Sequence, residues 1–167
     1  MNDLPLTKKQ ILLHPVYCLA FGFGSGFAPK APGTVGTLLA IPLYMALASL
    51  PFAVYVVATI VAMGVGIYLC GETARAIHKH DHPGIVWDEF VGFWIAMMAL
   101  PANDWRAIVL GFALFRSFDI AKPWPVSIAD KKVKGGLGIM LDDILAGVLA
   151  AIIGGLLWHL GLQYGVL

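Results

Sequence analysis

This chain predicts an all-α, multi-helix membrane bundle with its polar motif loops gathered at one face. Three observations carry that prediction. Of its 167 residues, 59% are apolar and 13% charged, against about 25% charged in an ordinary soluble domain, and the mean hydropathy is +0.82. Ala31–Gly71 and Ile144–Leu167 contain no Asp, Glu, Lys or Arg, and a spanning helix needs about 20 mainly apolar residues. The polar residues gather in four islands: GFGSGFAPKAPGTVGT (Gly22–Thr37), HKHDHPGIVWDE (His78–Glu89), RSFDIAKPWP (Arg116–Pro125) and GGLGIMLDD (Gly135–Asp143). Strands are not expected, because no sustained alternation is present and backbone groups in lipid must be satisfied internally.

The elements follow in order. Residues 1–20 form a peripheral or interfacial segment, with a helix over Lys8–Ala20. Its Lys8-Lys9 and apolar run resemble a signal peptide, but His14 and Pro15 interrupt the run and cleavage near Ala28 would remove the first island. Thr34–Leu50 and Phe52–Gly71 form a hairpin with Leu50-Pro51 at its tip. Gly84–Leu100 and Trp105–Ile120 form a second hairpin, whose turn offers Asn103 or Asp104 as a helix cap. A last helix begins near Leu141 and runs to about Leu162. No repeat or linker divides the chain, so residues 1–167 read as one domain. The second hairpin is short for two full crossings, which allows re-entrant or partly submerged helices.

This topology puts every island on one side of the membrane. Lys8, Lys9, Lys30, Arg75, Lys79, Arg116, Lys122, Lys131, Lys132 and Lys134 lie there, and Arg106 alone lies opposite. Such an asymmetry makes the island side cytoplasmic. The formal net charge of +1 gives no reason to expect a nucleic acid, and no obligate protein partner is indicated. Cys18 and Cys70 have neither metal nor redox spacing and read as packing residues. The five tryptophans read as interface anchors and core packing.

Acids beside membrane helices are costly and point to function. Asp88 and Glu89 are adjacent, as are Asp142 and Asp143. Helical neighbours point about 100° apart, so one member of each pair can face inward while the other approaches from the side. If two such helix starts meet, a hard divalent cation relieves the repulsion, and the lack of a Cys/His set makes that ion Mg²⁺ or Mn²⁺. The competing arrangement pairs each acid with Arg116, Lys122 or Lys134, or uses it as a cap. Lys30, Arg116, Lys122 and Lys134, with Thr34 or Ser25 as hydroxyl donors, are candidates to hold phosphate oxygens near a glycine-rich helix start, though the glycines fit no known phosphate-loop motif. His80 and His82 flank Asp81, and a histidine there can give a proton to a leaving alkoxide or simply sit at the interface. Known covalent phosphatase signatures (C-x5-R, D-x-D-x-T, P-S-G-H) are absent. Water activated beside a metal is therefore the simpler chemistry.

GFGSGFAPKAPGTVGT, HDHPGIVWDE, FRSFDIAKPWP and GGLGIMLDDILAG, in this order and spacing, resemble the bacterial phosphatidylglycerophosphatase A family. The likeness runs from Cys18 onward. It implies a multi-pass inner-membrane, Mg²⁺-dependent phosphatase that converts phosphatidylglycerophosphate in the cytoplasmic leaflet to phosphatidylglycerol, and an all-helical fold with one central helix. The family pattern falls on Gly33-Thr34, Asp81, Asp88-Glu89, Arg116, Asp119, Lys122-Pro123 and Asp142-Asp143. On this reading Asp88, Glu89, Asp142 and Asp143 hold the metal. Asp81 and Asp119 add ligands or orient water, and His82 is the candidate proton donor. Lys30, Thr34, Arg116 and Lys122 hold the phosphate. Rival readings are a phosphatase of another lipid phosphate, such as phosphatidic acid, and an ion-coupled transporter. The D-G-x-x-A-R signature of the CDP-alcohol phosphotransferases is missing.

Overall fold

A computed structural model describes residues 5–80, 82–102 and 104–163, and among them every regular element is helical. The N-terminal helix is split in two. Helix α1 (Lys8–Leu13) starts at a capping box in which Thr7 and Gln10 satisfy each other's backbone N–H groups. It stops at His14, which is extended (φ −94°, ψ 118°) ahead of Pro15, and α2 (Pro15–Ala20) restarts with that proline at its first position. The backbone of Ala20 then accepts a hydrogen bond from Val86 N–H at 2.8 Å, which ties this segment to the second island.

The first island is a kinked 3₁₀ segment, Gly22–Phe27, with left-handed backbone at Phe23 and Gly24. Its Gly26 lies so close to the Gly84 carbonyl that any side chain there would overlap it. Helices α3 (Pro32–Ala48) and α4 (Phe52–Ala76) form the expected hairpin around Pro51. Helix α5 (Trp87–Met97) is followed by α6 (Trp105–Ala121), which Asp104 caps by accepting from Arg106 N–H at 2.9 Å. A short α7 (Val126–Lys132), absent from the sequence reading, precedes α8 (Gly135–Gln163).

Two helices, α4 and α8, are long and apolar enough to cross a membrane. Both exceed their expected lengths. Helix α4 runs on past Gly71 to Ala76, with Thr73 and Ala74 buried. Helix α8 begins at Gly135, not near Leu141, because glycines that read as loop are used for contact. A Cβ on Gly136 would overlap the Ile67 carbonyl, and one on Gly138 would overlap that of Val133. The polar ends of α4 and α8 are thus locked side by side.

Helix α5, about 16 Å long at 1.5 Å per residue, is too short to cross. It packs against α3, α4, α6 and α8, and Phe90, Val91, Phe93, Ala96 and Met97 are almost wholly buried. Its close approach to α8 rests on Gly92 and Gly147: a Cβ at 147 would overlap the Gly92 carbonyl. The polar handles of its aromatic residues find backbone partners. Trp87 Nε1 donates to the Ala62 carbonyl at 3.0 Å and Trp94 Nε1 to that of Ala40 at 3.2 Å, and the Tyr55 hydroxyl of α4 donates to the Trp94 carbonyl.

These contacts predict opposite behaviour for two glycines of the spans. Gly147→Ala, pressed on backbone that cannot yield, should lower thermal stability in detergent by about 1–3 kcal/mol. Gly64→Ala, with nothing within 4 Å of its added methyl, should leave stability unchanged or raise it. Equal melting shifts for the two would contradict the packing described.

Candidate active site

The start of α5 is where the second island becomes structure. Asp88 and Glu89 occupy its first turn, where a helix N-terminus favours negative charge, and Asp88 Oδ1 accepts the N–H of Glu89 at 3.1 Å. From α8, Asp143 turns toward them. Each of the three acids offers an oxygen, and these oxygens all lie within 4.8 Å of one another in a buried place.

Helix α6 supplies the charges around them. Arg116 and Asp119 stand one turn apart, with Arg116 Nη1 at 2.6 Å from Asp119 Oδ2 and 3.7 Å from Glu89 Oε1. Asp119 is also within hydrogen-bonding reach of Asp143. Lys122 ends α6 in the left-handed region (φ 44°, ψ 55°), and its Nζ donates to Asp142 Oδ2 at 2.8 Å. A glycine would hold that backbone at no steric cost, so the lysine is there for its amine.

The first island enters through Gly33, in the first turn of α3. A Cβ there would overlap Glu89 Oε1 and lie 3.1 Å from both terminal nitrogens of Arg116. Residues from all four islands therefore meet at one place. It is sunk into the bundle: Asp143 lies eight residues into α8, about 12 Å below the start of that helix.

Among the described residues, five carboxylates (Asp88, Glu89, Asp119, Asp142, Asp143) share this volume with two cations, Arg116 and Lys122. Glu89 Oε2 and Asp143 Oδ2 are buried without a hydrogen-bond partner. Burial, reinforced by the charge of Asp143, pushes the Glu89 carboxyl up to about 8. Bare carboxylate oxygens this close together are unfavourable unless protonated or matched by positive charge. An all-oxygen set of three converging acids with orphaned atoms fits a hard divalent cation, and Asp88, Glu89 and Asp143 are the residues that can hold it.

The other sequence candidates differ in their surroundings. Asp142 is beside the acid cluster but engaged by Lys122. Thr34 is half-buried next to Gly33, whereas Lys30 is exposed and pairs with none of the described residues. His82 is buried; its Nδ1 accepts the N–H of Gly84 at 2.9 Å and its ring leans on Phe21 at 5.8 Å. Asp81 lies outside the described residues. In sequence, the glycine-rich start of this helix suggests close backbone approach; in the fold, Gly33 makes room for Glu89 and Arg116. Its signal was the glycine island itself, which does not say what fills the space.

A short, buried helix that begins with acids, flanked by two helices long and apolar enough to cross a membrane, defines a helical bundle with a polyanionic cluster at one end. Comparison with known proteins makes this specific. The family model of phosphatidylglycerophosphatase A matches residues 18–158. A protein of Escherichia coli K12 named phosphatidylglycerophosphatase A is 48% identical over 93% of this chain and 90% of its own. One of the same name from Haemophilus influenzae is 46% identical over 92% and 94%. A Bacteroides thetaiotaomicron protein, provisionally named a phosphatidylinositol-3-phosphatase, is 42% identical over 79% and 86%. No solved structure matches. The chain belongs to the phosphatidylglycerophosphatase A family and is a phosphatase; with its two candidate spans, it is a membrane protein.

Burial of Glu89 has a measurable consequence when divalent ions are chelated. Its folded pKa, about 8, lies above its ordinary value of 4.5, so its contribution to stability is full below 4.5 and is lost as pH rises through 8. The melting temperature of the chelated protein in detergent should fall across that window. Glu89→Gln should flatten the fall, and a profile that is already flat in the unsubstituted protein would contradict the burial.

Proposed function

We propose that this chain hydrolyses the terminal phosphate monoester of phosphatidylglycerophosphate, releasing phosphatidylglycerol and inorganic phosphate, with Mg²⁺ as cofactor. The observation that carries the proposal is the convergence of Asp88, Glu89 and Asp143 next to Arg116 and Lys122. Family membership supplies the reaction class, and the names of the Escherichia coli and Haemophilus influenzae relatives supply the substrate. The protein is read as a multi-pass component of the bacterial inner membrane. Its site faces the cytoplasm, the side on which ten of its eleven Lys and Arg residues gather in the helix topology.

Asp88, Glu89 and Asp143 hold the Mg²⁺, with Asp142 at the edge of the set. When bound, the ion polarises a phosphoryl oxygen and makes water more acidic. The chain's own residues do the rest. Arg116 and Lys122, with Thr34 and the more exposed Lys30, neutralise the phosphate oxygens as charge moves onto them. Asp119, fixed by Arg116 at 2.6 Å, orients the attacking water and takes its proton, and Asp81 is the second candidate for that task. Water oxygen bonds to phosphorus as the bond to the glycerol oxygen breaks, and that oxygen must gain a proton. His82 is the candidate donor and would act as the imidazolium: Nδ1 accepts from Gly84 N–H in the neutral ring, so it must first take a proton from solvent and give up that contact before the ring can protonate the alkoxide.

The Bacteroides relative's name favours a second reading, in which the lipid phosphate is a different one. Phosphate release from phosphatidylglycerophosphate, phosphatidic acid and phosphatidylinositol 3-phosphate in matched micelles separates the two.

For purified protein, Asp88→Asn and Asp143→Asn should each cut turnover by about 10²-fold or more, with helicity and melting retained, and a chelator should abolish turnover until Mg²⁺ is restored. Unchanged phosphate release from a folded Asp88→Asn protein would remove that residue from the mechanism. Lys122→Gly keeps the left-handed cap and removes the amine together with its side chain, so it should retain its helicity yet lose about tenfold or more in kcat/KM.

A further inference from the structure

Helices joined by a tight turn usually close on each other, yet α3 and α4 leave a groove of about 590 Å³ between them, within the range of ligand sites. Its walls are apolar: Leu43, Ala46 and Leu47 on α3, and Ala58, Val61 and Ala62 on α4. Its floor is made by Trp87 and Trp94, two turns apart on α5. Both rings are fixed by their indole N–H groups, Trp87 to the α4 carbonyl of Ala62 at 3.0 Å and Trp94 to the α3 carbonyl of Ala40 at 3.2 Å. The tryptophans thus act as wedges between the two helices, and the alanines on either wall are too short to fill the space they leave.

Two further features say what covers this groove. It is open along one side, and that side is continuous with the exposed face of the α4 span, where Val57, Val61 and Val65 are bare. What meets it at this depth is hydrocarbon. At its inner end lies Trp87, the residue immediately before Asp88 in the first turn of α5. A chain lying in the groove therefore ends beside the carboxylates.

We infer that this groove seats one acyl chain of the phospholipid substrate and so fixes the headgroup against the acid cluster. The inference rests on the lipid-phosphatase reading above and adds a binding subsite to it. Moving a chain from bilayer to groove exchanges one hydrocarbon environment for another, so it gains no hydrophobic energy. Its effect is positional, holding the phosphorus where the reacting groups are. The groove should consequently influence kcat/KM for acylated substrate and not the affinity of the protein for membranes.

Ala62→Phe and Ala58→Phe fill the groove from the α4 side, away from the acids. Each should lower kcat/KM on dioleoyl phosphatidylglycerophosphate by about tenfold and leave it unchanged on the deacylated, water-soluble headgroup. Unaltered rates on both substrates would overturn the inference. An equal loss on both would mean that the variant has damaged the site, and the decision then passes to the unsubstituted protein with a phosphatidylglycerophosphate bearing a diazirine near the end of one chain. Photolabel concentrated at residues 43–50 and 58–65 supports the groove. Label spread evenly over the exposed faces of α4 and α8 overturns it, as does none in the groove, the result that a second copy of the chain seated there would give. An unsubstituted protein that releases phosphate from no lipid fails the phosphatase reading instead, while the photolabel still reports on the groove.

Discussion

Asp88, Glu89 and Asp143 hold negative oxygens within 4.8 Å of one another in a buried place, and the rest of the bundle is arranged around that repulsion. Arg116 and Lys122 approach from one end of α6, each already matched to an aspartate. Gly33 lets α3 come down onto Glu89, and Gly92 with Gly147 lets α5 and α8 close beside it. None of these placements is what hydrophobic packing alone would choose. A cluster with excess negative charge is stable only if its members are protonated or a cation joins them, so pH dependence and fold are coupled here.

The overall plan was legible because charge is so scarce in this chain. Two stretches free of Asp, Glu, Lys and Arg located α4 and α8, Pro51 located the hairpin tip, and Asp104 was already visible as a cap for α6. The acids stood out for the same reason. What the sequence left open was which acids pair with bases and which group together, and the fold does both: Asp119 and Asp142 take Arg116 and Lys122, while Asp88, Glu89 and Asp143 converge. That division depends on helix rotation and on contacts between distant segments, neither of which local spacing encodes.

Glycine caused the main misreading. Gly135, Gly136 and Gly138 look like a loop because glycine is a poor helix former, yet they begin α8, where two of them lie against neighbouring carbonyls. Close backbone approach outweighed propensity, as it does between helices in lipid. The same kind of tertiary override hides the work of Trp87 and Trp94, which read as interface anchors or core filler and whose indoles tie three helices together.

Because α8 starts eight residues before Asp143, its polar end rises roughly 12 Å beyond the acids on one side. A phosphoprotein or a folded nucleic acid approaching over that side would meet the helix end before its phosphate reached the acids. Small headgroups arriving sideways from within the leaflet meet no such obstacle. Depth alone would then discriminate among phosphate esters by the route they travel, before any residue distinguishes one headgroup from another.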